Sequence, residues 1–234
     1  MQRHRNPKSA FTLVELLVVI AIIALLIAIL LPTLAAARAQ ANRLKCASNL
    51  RTLGQVAFQY AYDNKGWIPR NCDYGNPLMP SWIDLLSRNM KKALPPAPMG
   101  MMYSAAYDLS AVSFYARIEW YQCPVFPVDR QPIDFVINGW ERKNAPYGGR
   151  STMLRITSVR NSAEVILFLD ANKNRSTDSF VRHDVWHPDH LPGGPDVRVL
   201  DDKRHRGLCN ICYLDGHVSA KPFKQIKVAD FTMP

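Results

Sequence analysis

From position 16 to position 31 every side chain is apolar. Taken with its flanks, as residues 11–34, the run makes about 36 Å of helix at ~1.5 Å per residue. That exceeds a hydrocarbon core of ~30 Å. Glu15 lies inside the stretch, where an unpaired carboxylate costs on the order of 3 kcal/mol and so needs a partner. Beyond Pro32 the pattern changes instead of stopping. Leu34, Ala37, Ala41, Leu44, Ser48, Leu50, Leu53, Ala57 and Tyr60 recur at spacings of mostly three and four, with Arg38, Gln40, Arg43, Lys45, Asn49 and Arg51 between them. The spacing predicts one helix reaching about Tyr62, kinked but not ended by Pro32. Asp63-Asn64-Lys65-Gly66 is its stop signal, with Gly66 suited to a left-handed cap.

Residues 63–150 are punctuated by Pro69, Pro77, Pro80, Pro95, Pro96, Pro98, Pro124, Pro127, Pro132 and Pro146. This reads as loops and short elements, with a short helix over 82–90 and either a strand or a helix over 112–121. Strand patterns return at 151–156 and 164–169. Residues 208–214 and 217–223 read as a hairpin closed by a two-residue Asp215-Gly216 turn with positive φ at both positions. The expected fold class is α+β: a long N-terminal transmembrane helix followed by a C-terminal antiparallel sheet. The expected divisions are 1–10, a polar leader; 11–34, the membrane helix; 35–62, its amphipathic continuation; 63–150, a loop-rich region; and 151–234, a β-rich region.

The 234 residues, 48% of them hydrophobic, suffice for one membrane segment and one globular domain. The formal charge of +10 would suit nucleic acid or anionic lipid, but Lys and Arg are spread along the chain, so no specific nucleic acid is expected as a partner. Arg3, Arg5 and Lys8 precede the hydrophobic run, which keeps the leader on the cytoplasmic side and places the rest outside. Five cysteines, Cys46, Cys72, Cys123, Cys209 and Cys212, form neither a disulfide scaffold nor a zinc framework.

The run from Ala10 through Phe11 and Glu15 to Leu26 resembles the signal of type IV prepilins and type II secretion pseudopilins. The resemblance implies a pilin-like head and cleavage by a prepilin peptidase between Ala10 and Phe11, followed by N-methylation of Phe11. It makes Glu15 the fifth residue of the mature chain and puts Pro32 where pilins have a kinking proline. Ala10 departs from the family's usual glycine. Once cut, the chain would carry an α-amino group with a pKa near ~8 one helical turn from Glu15. Glu15 could neutralise that amine in its own subunit or a staggered neighbour, which makes it an assembly residue. Implied partners are the prepilin peptidase, other pilin or pseudopilin subunits and membrane lipid. The implied location is the bacterial inner membrane, single-pass, or a pilus, pseudopilus or the cell surface. A membrane-anchored binding protein that forms no fibres is the alternative function. Two other readings of the N-terminus are a secretory signal cut after Ala39 and an uncleaved anchor. No nucleophile and base, phosphate loop or metal set marks an enzyme.

His205, Asp215 and Gly216 form His-x9-Asp-Gly. This closely resembles the C-terminal processing-associated motif of prepilin-like proteins of planctomycete and verrucomicrobial type, as do residues 163–170 and Tyr121-Gln122-Cys123-Pro124. If the spacer is extended, His205 and Asp215 lie about 33 Å apart, so they are read as a loop residue and a turn, not a catalytic pair. Cys46 and Cys123 both lie in family-like segments, and on that ground the resemblance makes them the candidate disulfide. Cys209 and Cys212 fall three apart in a strand and point to opposite faces, against a redox or zinc role. His183, Asp184, His187, Asp189 and His190 are rich in metal donors, but Pro188 interrupts them, and a surface loop is expected. Asp170, Asn172 and Asn174 resemble the start of a calcium loop without its later glycine and glutamate. The reading assigns no cofactor, leaving calcium as the one ion the pattern keeps open.

Overall fold

The structure is a computed structural model that describes residues 12–69, 82–90, 117–125, 133–140, 153–172, 184–185, 187–199 and 204–231. Ala10, Phe11, Cys72, Asn174, His183 and the side chain of Asp184 lie outside the described set. The chain divides into two compact units, with the boundary between Ala41 and Asn42.

In the first unit the dominant element is the opening of helix α1, Leu13–Asp63, which runs through Pro32. Every residue from 12 to 35 is exposed, Leu16 and Leu30 included, although almost all are apolar. In the turn at Pro32, Thr33 Oγ1 donates to the Leu30 carbonyl at 2.8 Å. Among the described residues this is the helix long and apolar enough to cross a membrane.

The second unit contains the rest of α1, the strands β1 (Trp67–Pro69), β2 (Phe135–Asn138), β3 (Met153–Arg155), β4 (Ile166–Asp170), β5 (Asp184–Val185), β6 (Leu208–Tyr213) and β7 (Val218–Pro222), and the helix α2 (Trp82–Asn89). Helix α1 stops where its sequence predicts. Gly66 donates back to the Ala61 carbonyl at 2.7 Å with φ +85°, and Lys65 is also left-handed at φ 55°. β1 and β3 form a small antiparallel pair, and the main sheet has the order β5-β2-β4-β6-β7. That sheet is antiparallel except at β5, which pairs parallel with β2.

β2 and β4 are buried at every position, because the sheet is covered on both faces. One face packs Phe135, Ile137, Leu167, Phe168 and Cys212 against Leu50, Leu53 and Ala57 of α1 and against Trp82, Ile83 and Leu86 of α2. The other packs Val136, Ile166, Leu169, Cys209 and Ile211 against Leu191, Val199, Ile226 and Phe231. A bulge between Ile166 and Phe168 puts Leu167 and Phe168 on the same side despite the two-residue period. Burying each of these large side chains contributes about 1.5–3 kcal/mol.

Several features differ from the sequence expectations. β1 and β2 lie inside the region read as loops, since three- and four-residue strands bounded by proline and Asn-Gly give too short a pattern. The undecided stretch is described only from 117 onward, and Glu119–Tyr121 there is a single 3-10 turn, neither α-helix nor strand. At the hairpin only Gly216 has positive φ, at +90°. Gly216 donates to the Tyr213 carbonyl at 2.9 Å and Tyr213 to the His217 carbonyl at 3.0 Å, which makes a three-residue loop ending in a left-handed glycine. The expected two-residue turn is therefore corrected. Asp215 keeps an ordinary backbone because the extra residue, Leu214, completes the reversal.

Helix and sheet approach closely at Gly54, where an added Cβ would stand 2.7 Å from Cys212 Sγ. Gly54→Ala improves helix propensity by ~1 kcal/mol. It also overpacks a dense contact, at a cost of about 1–3 kcal/mol. The net expectation is a head destabilised by up to about 2 kcal/mol in urea unfolding; a higher midpoint would contradict the close approach.

Candidate functional site

Two places combine specific chemistry with defined geometry. The first is the start of α1. Thr12 caps the helix: its hydroxyl accepts from Glu15 N–H at 3.2 Å, while Glu15 Oε2 accepts from Thr12 N–H and Oγ1, both at 2.8 Å. This is a reciprocal capping box, and Thr-x-x-Glu is its sequence signature. The apolar run around Glu15 masks that local role, because it marks the carboxylate first as a charge in need of a partner. In the uncut chain the carboxylate already has partners, so an α-amine released at Phe11 would have to compete with Thr12 for it.

The second place is a buried polar cluster. Cys46 is carried by α1, Cys123 by the segment after the Glu119–Tyr121 turn, Asp134 by the entry to β2, Asp170 by the end of β4 and Asn210 by β6. His205 comes from a tight turn before β6 in which both His205 and Arg206 are left-handed, at φ 51° and 59°. Few non-glycine residues hold that conformation unless their surroundings fix them. His205 Nε2 lies 3.3 Å from Cys123 Sγ and 3.8 Å from Asp170 Oδ2. Cys46 Sγ lies 3.2 Å from Asp170 Oδ1, and Asn210 donates to Asp170 Oδ2 from its backbone at 2.7 Å and its side chain at 3.0 Å.

Burial pushes the Asp170 carboxyl up to about 6, with the His205 charge pulling the other way. A hydrogen bond with Cys46 draws the Cys123 thiol down to about 5; burial opposes it and His205 assists. Burial works against a charged His205, but the Cys123 hydrogen bond and the Asp170 charge prevail and raise it. Desolvation likewise raises Asp134, whose Oδ2 accepts the Cys123 N–H while its Oδ1 is buried without a hydrogen-bond partner.

The remaining sequence candidates are dispersed. Cys46 and Cys123 are neighbours here with both thiols free, so the bond suggested by the resemblance is not formed in this structure. His205 does not meet Asp215, which sits at the far end of β6 and pairs with His217 Nδ1 at 2.6 Å. Cys209 and Cys212 lie in the cores on opposite faces of the sheet, as their spacing predicts. The surface-loop reading of the histidine-rich segment needs correction. His190 is buried, 3.5 Å from Asp196, because a 3-10 turn at Pro188–His190 folds it inward, while His187 faces Asp189 at 3.4 Å. Asp170 spends its oxygens on the buried cluster, and Asn172 donates to the Val197 carbonyl at 3.2 Å. Nothing local marks Asp134 as a member of the cluster, and the local pattern at Asp170 points to a calcium loop instead of to its partners Cys46, His205 and Asn210.

The exposed Asp215–His217 pair yields a pH prediction. Partial burial acts to raise the Asp215 carboxyl, but hydrogen bonds from His217 outweigh it and hold the carboxyl below its usual range. A depressed carboxylate stabilises the fold above its unfolded pKa of ~3.9, and that contribution is lost as the pH falls through the folded value. Asp215→Asn should therefore cost no more than about 1 kcal/mol near neutrality. The gap from wild type should close on acidification below about pH 3.9. A gap that widened in acid, followed by thermal unfolding, would contradict this account.

Comparison with known proteins bears on the first site. A family model described as "Prokaryotic N-terminal methylation motif" matches residues 5–31, the span that holds Ala10, Phe11 and Glu15. The chain is also 46% identical over 63 residues to the type IV wide pilus major component PilA4 of Thermus thermophilus. That alignment takes in 27% of this chain and 47% of the relative, so the chain spans about half the length of the curated relative it matches. No solved structure matches. The chain thus carries a prepilin-type methylation motif on a helix of membrane-spanning length, followed by an α+β head, and over its N-terminal part it is similar to a type IV pilin.

Proposed function

We propose that the chain is a prepilin-like structural subunit, cut by a prepilin peptidase between Ala10 and Phe11 and N-methylated at Phe11. It is held in the bacterial inner membrane with its leader in the cytoplasm and its head outside. From there it enters a pilus or pseudopilus of a type IV pilus or type II secretion system by packing helix 11–34 against other subunits. The observation that carries this reading is the first half of α1, apolar on every face and exposed throughout residues 12–35. A helix with no polar face needs lipid or other apolar helices around it. The match to the methylation motif, and to a protein named as a pilus major component, supports assembly into a fibre over simple anchoring.

In this reading Glu15 has two successive partners. Before cleavage it completes the Thr12 cap; afterwards it offers the one carboxylate near a charged α-amine in a low-dielectric bundle. Glu15→Ala should leave processing intact, so that the mature chain still begins at Phe11 by N-terminal sequencing, while sheared surface fibres lose the subunit by at least about tenfold, the equivalent of ~1.4 kcal/mol. Normal incorporation of the variant into fibres would remove polymerisation through Glu15. A wild-type chain that is processed but never leaves the membrane would favour the anchored binding protein instead.

A further inference from the structure

We propose that Cys46, Cys123, His205 and Asp170 bind a single zinc ion that ties α1 to the sheet of the head. One sulfur from each cysteine and one ring nitrogen of His205 all lie within 4.8 Å of one another, and all three residues are buried. In tetrahedral zinc sites with metal–sulfur bonds of about 2.3 Å and metal–nitrogen or metal–oxygen bonds of about 2.0–2.1 Å, neighbouring donors stand roughly 3.5 Å apart. The Cys123 Sγ to His205 Nε2 distance of 3.3 Å and the Cys46 Sγ to Asp170 Oδ1 distance of 3.2 Å are already close to that. Asp170 lies outside that group of three and would supply the fourth donor by turning one carboxylate oxygen towards it. It also retains support for its other oxygen from Asn210, the kind of outer hydrogen bond that fixes a ligand's orientation.

A second observation points the same way. Asp134 is 1% exposed, and its Oδ1 has no hydrogen-bond partner although its Oδ2 sits on the Cys123 backbone. Asp170 and the two thiols thus gather round the His205 imidazole, with Asp134 on the Cys123 backbone and Arg204 as a neighbouring cation. A buried divalent ion would take the place of protons at its donors: on binding, the Cys46 thiol and the ligating ring nitrogen of His205 each release the proton they hold to solvent. The donor set of two sulfurs, one nitrogen and one carboxylate oxygen, closed on all sides by protein, suits zinc over calcium or magnesium, which take oxygen donors. The backbone of His205, left-handed at φ 51°, is what turns the imidazole inward from its turn.

A disulfide between Cys46 and Cys123 would consume two of the four donors, so the two states exclude each other. The test uses the full chain purified in detergent without reductant or chelator. Elemental analysis should find one zinc per chain, and thiol alkylation followed by mass spectrometry should find Cys46 and Cys123 unlinked. After zinc removal, Co2+ alone should restore one equivalent with the intense visible bands of a tetrahedral site and the near-ultraviolet bands of thiolate ligation. His205→Ala and Cys123→Ser should each weaken Co2+ binding by at least about tenfold, since even outer-shell losses cost 10–100-fold. The wild-type measurements decide the matter even if a variant fails to fold. No retained zinc together with a weak octahedral Co2+ spectrum, or a Cys46–Cys123 disulfide as the main isolated state, would overturn the proposal.

Discussion

One helix has to satisfy two surroundings that share no chemistry. The first part of α1 offers no polar side chain between residues 16 and 31, so water cannot serve as its solvent. Past residue 41 the same element becomes the wall of a globular core, with Leu50, Leu53 and Ala57 fully buried. The switch requires no break in the backbone, because an α-helix meets its own hydrogen bonds in either environment. Polarity is changed by side chains alone, and Pro32, which withholds one donor, is passed without ending the element.

The head inherits its architecture from that wall. A long helix lying over a five-stranded sheet leaves the opposite face of the sheet uncovered, and residues 187–199 and 223–231 close it with short 3-10 turns instead of a second long helix. Asn138 illustrates how tightly those segments are tied down, since its side-chain amide reaches the carbonyls of both Ile166 and Phe231. β4 and β6, sandwiched between the two cores, have no side facing solvent along most of their length. The closeness of α1 to β6 depends on the missing side chain at Gly54.

The sequence was readable wherever a pattern is local. The end of α1 at Asn64-Lys65-Gly66, the short helix beginning at Trp82 and the final hairpin all follow from spacing and glycine placement. The α+β class and the pilin-like resemblance rested on equally local features. What escaped is what the chain assembles at long range. Cys46 meets Asp170 across 124 residues and Cys123 meets His205 across 82, separations at which no periodicity links partners. His205 was readable as part of a motif and its separation from Asp215 follows from the extended spacer, but nothing in the motif points to its contacts with Cys123 and Asp170. The Thr12 cap is local as well, but the apolar run around Glu15 outweighs its Thr-x-x-Glu signature and marks the carboxylate first as a buried charge.

The central claim is that the opening of α1 is solvated by apolar matter on every side. Single spin labels at Val18→Cys, Val19→Cys, Ile20→Cys and Ala21→Cys, about 100° apart, sample its whole circumference, and their collisions with oxygen and with a water-soluble nickel chelate can be measured in native membranes. The account predicts that oxygen, which partitions into hydrocarbon, dominates at all four positions. Free access of the aqueous chelate to the labels on any face would contradict it.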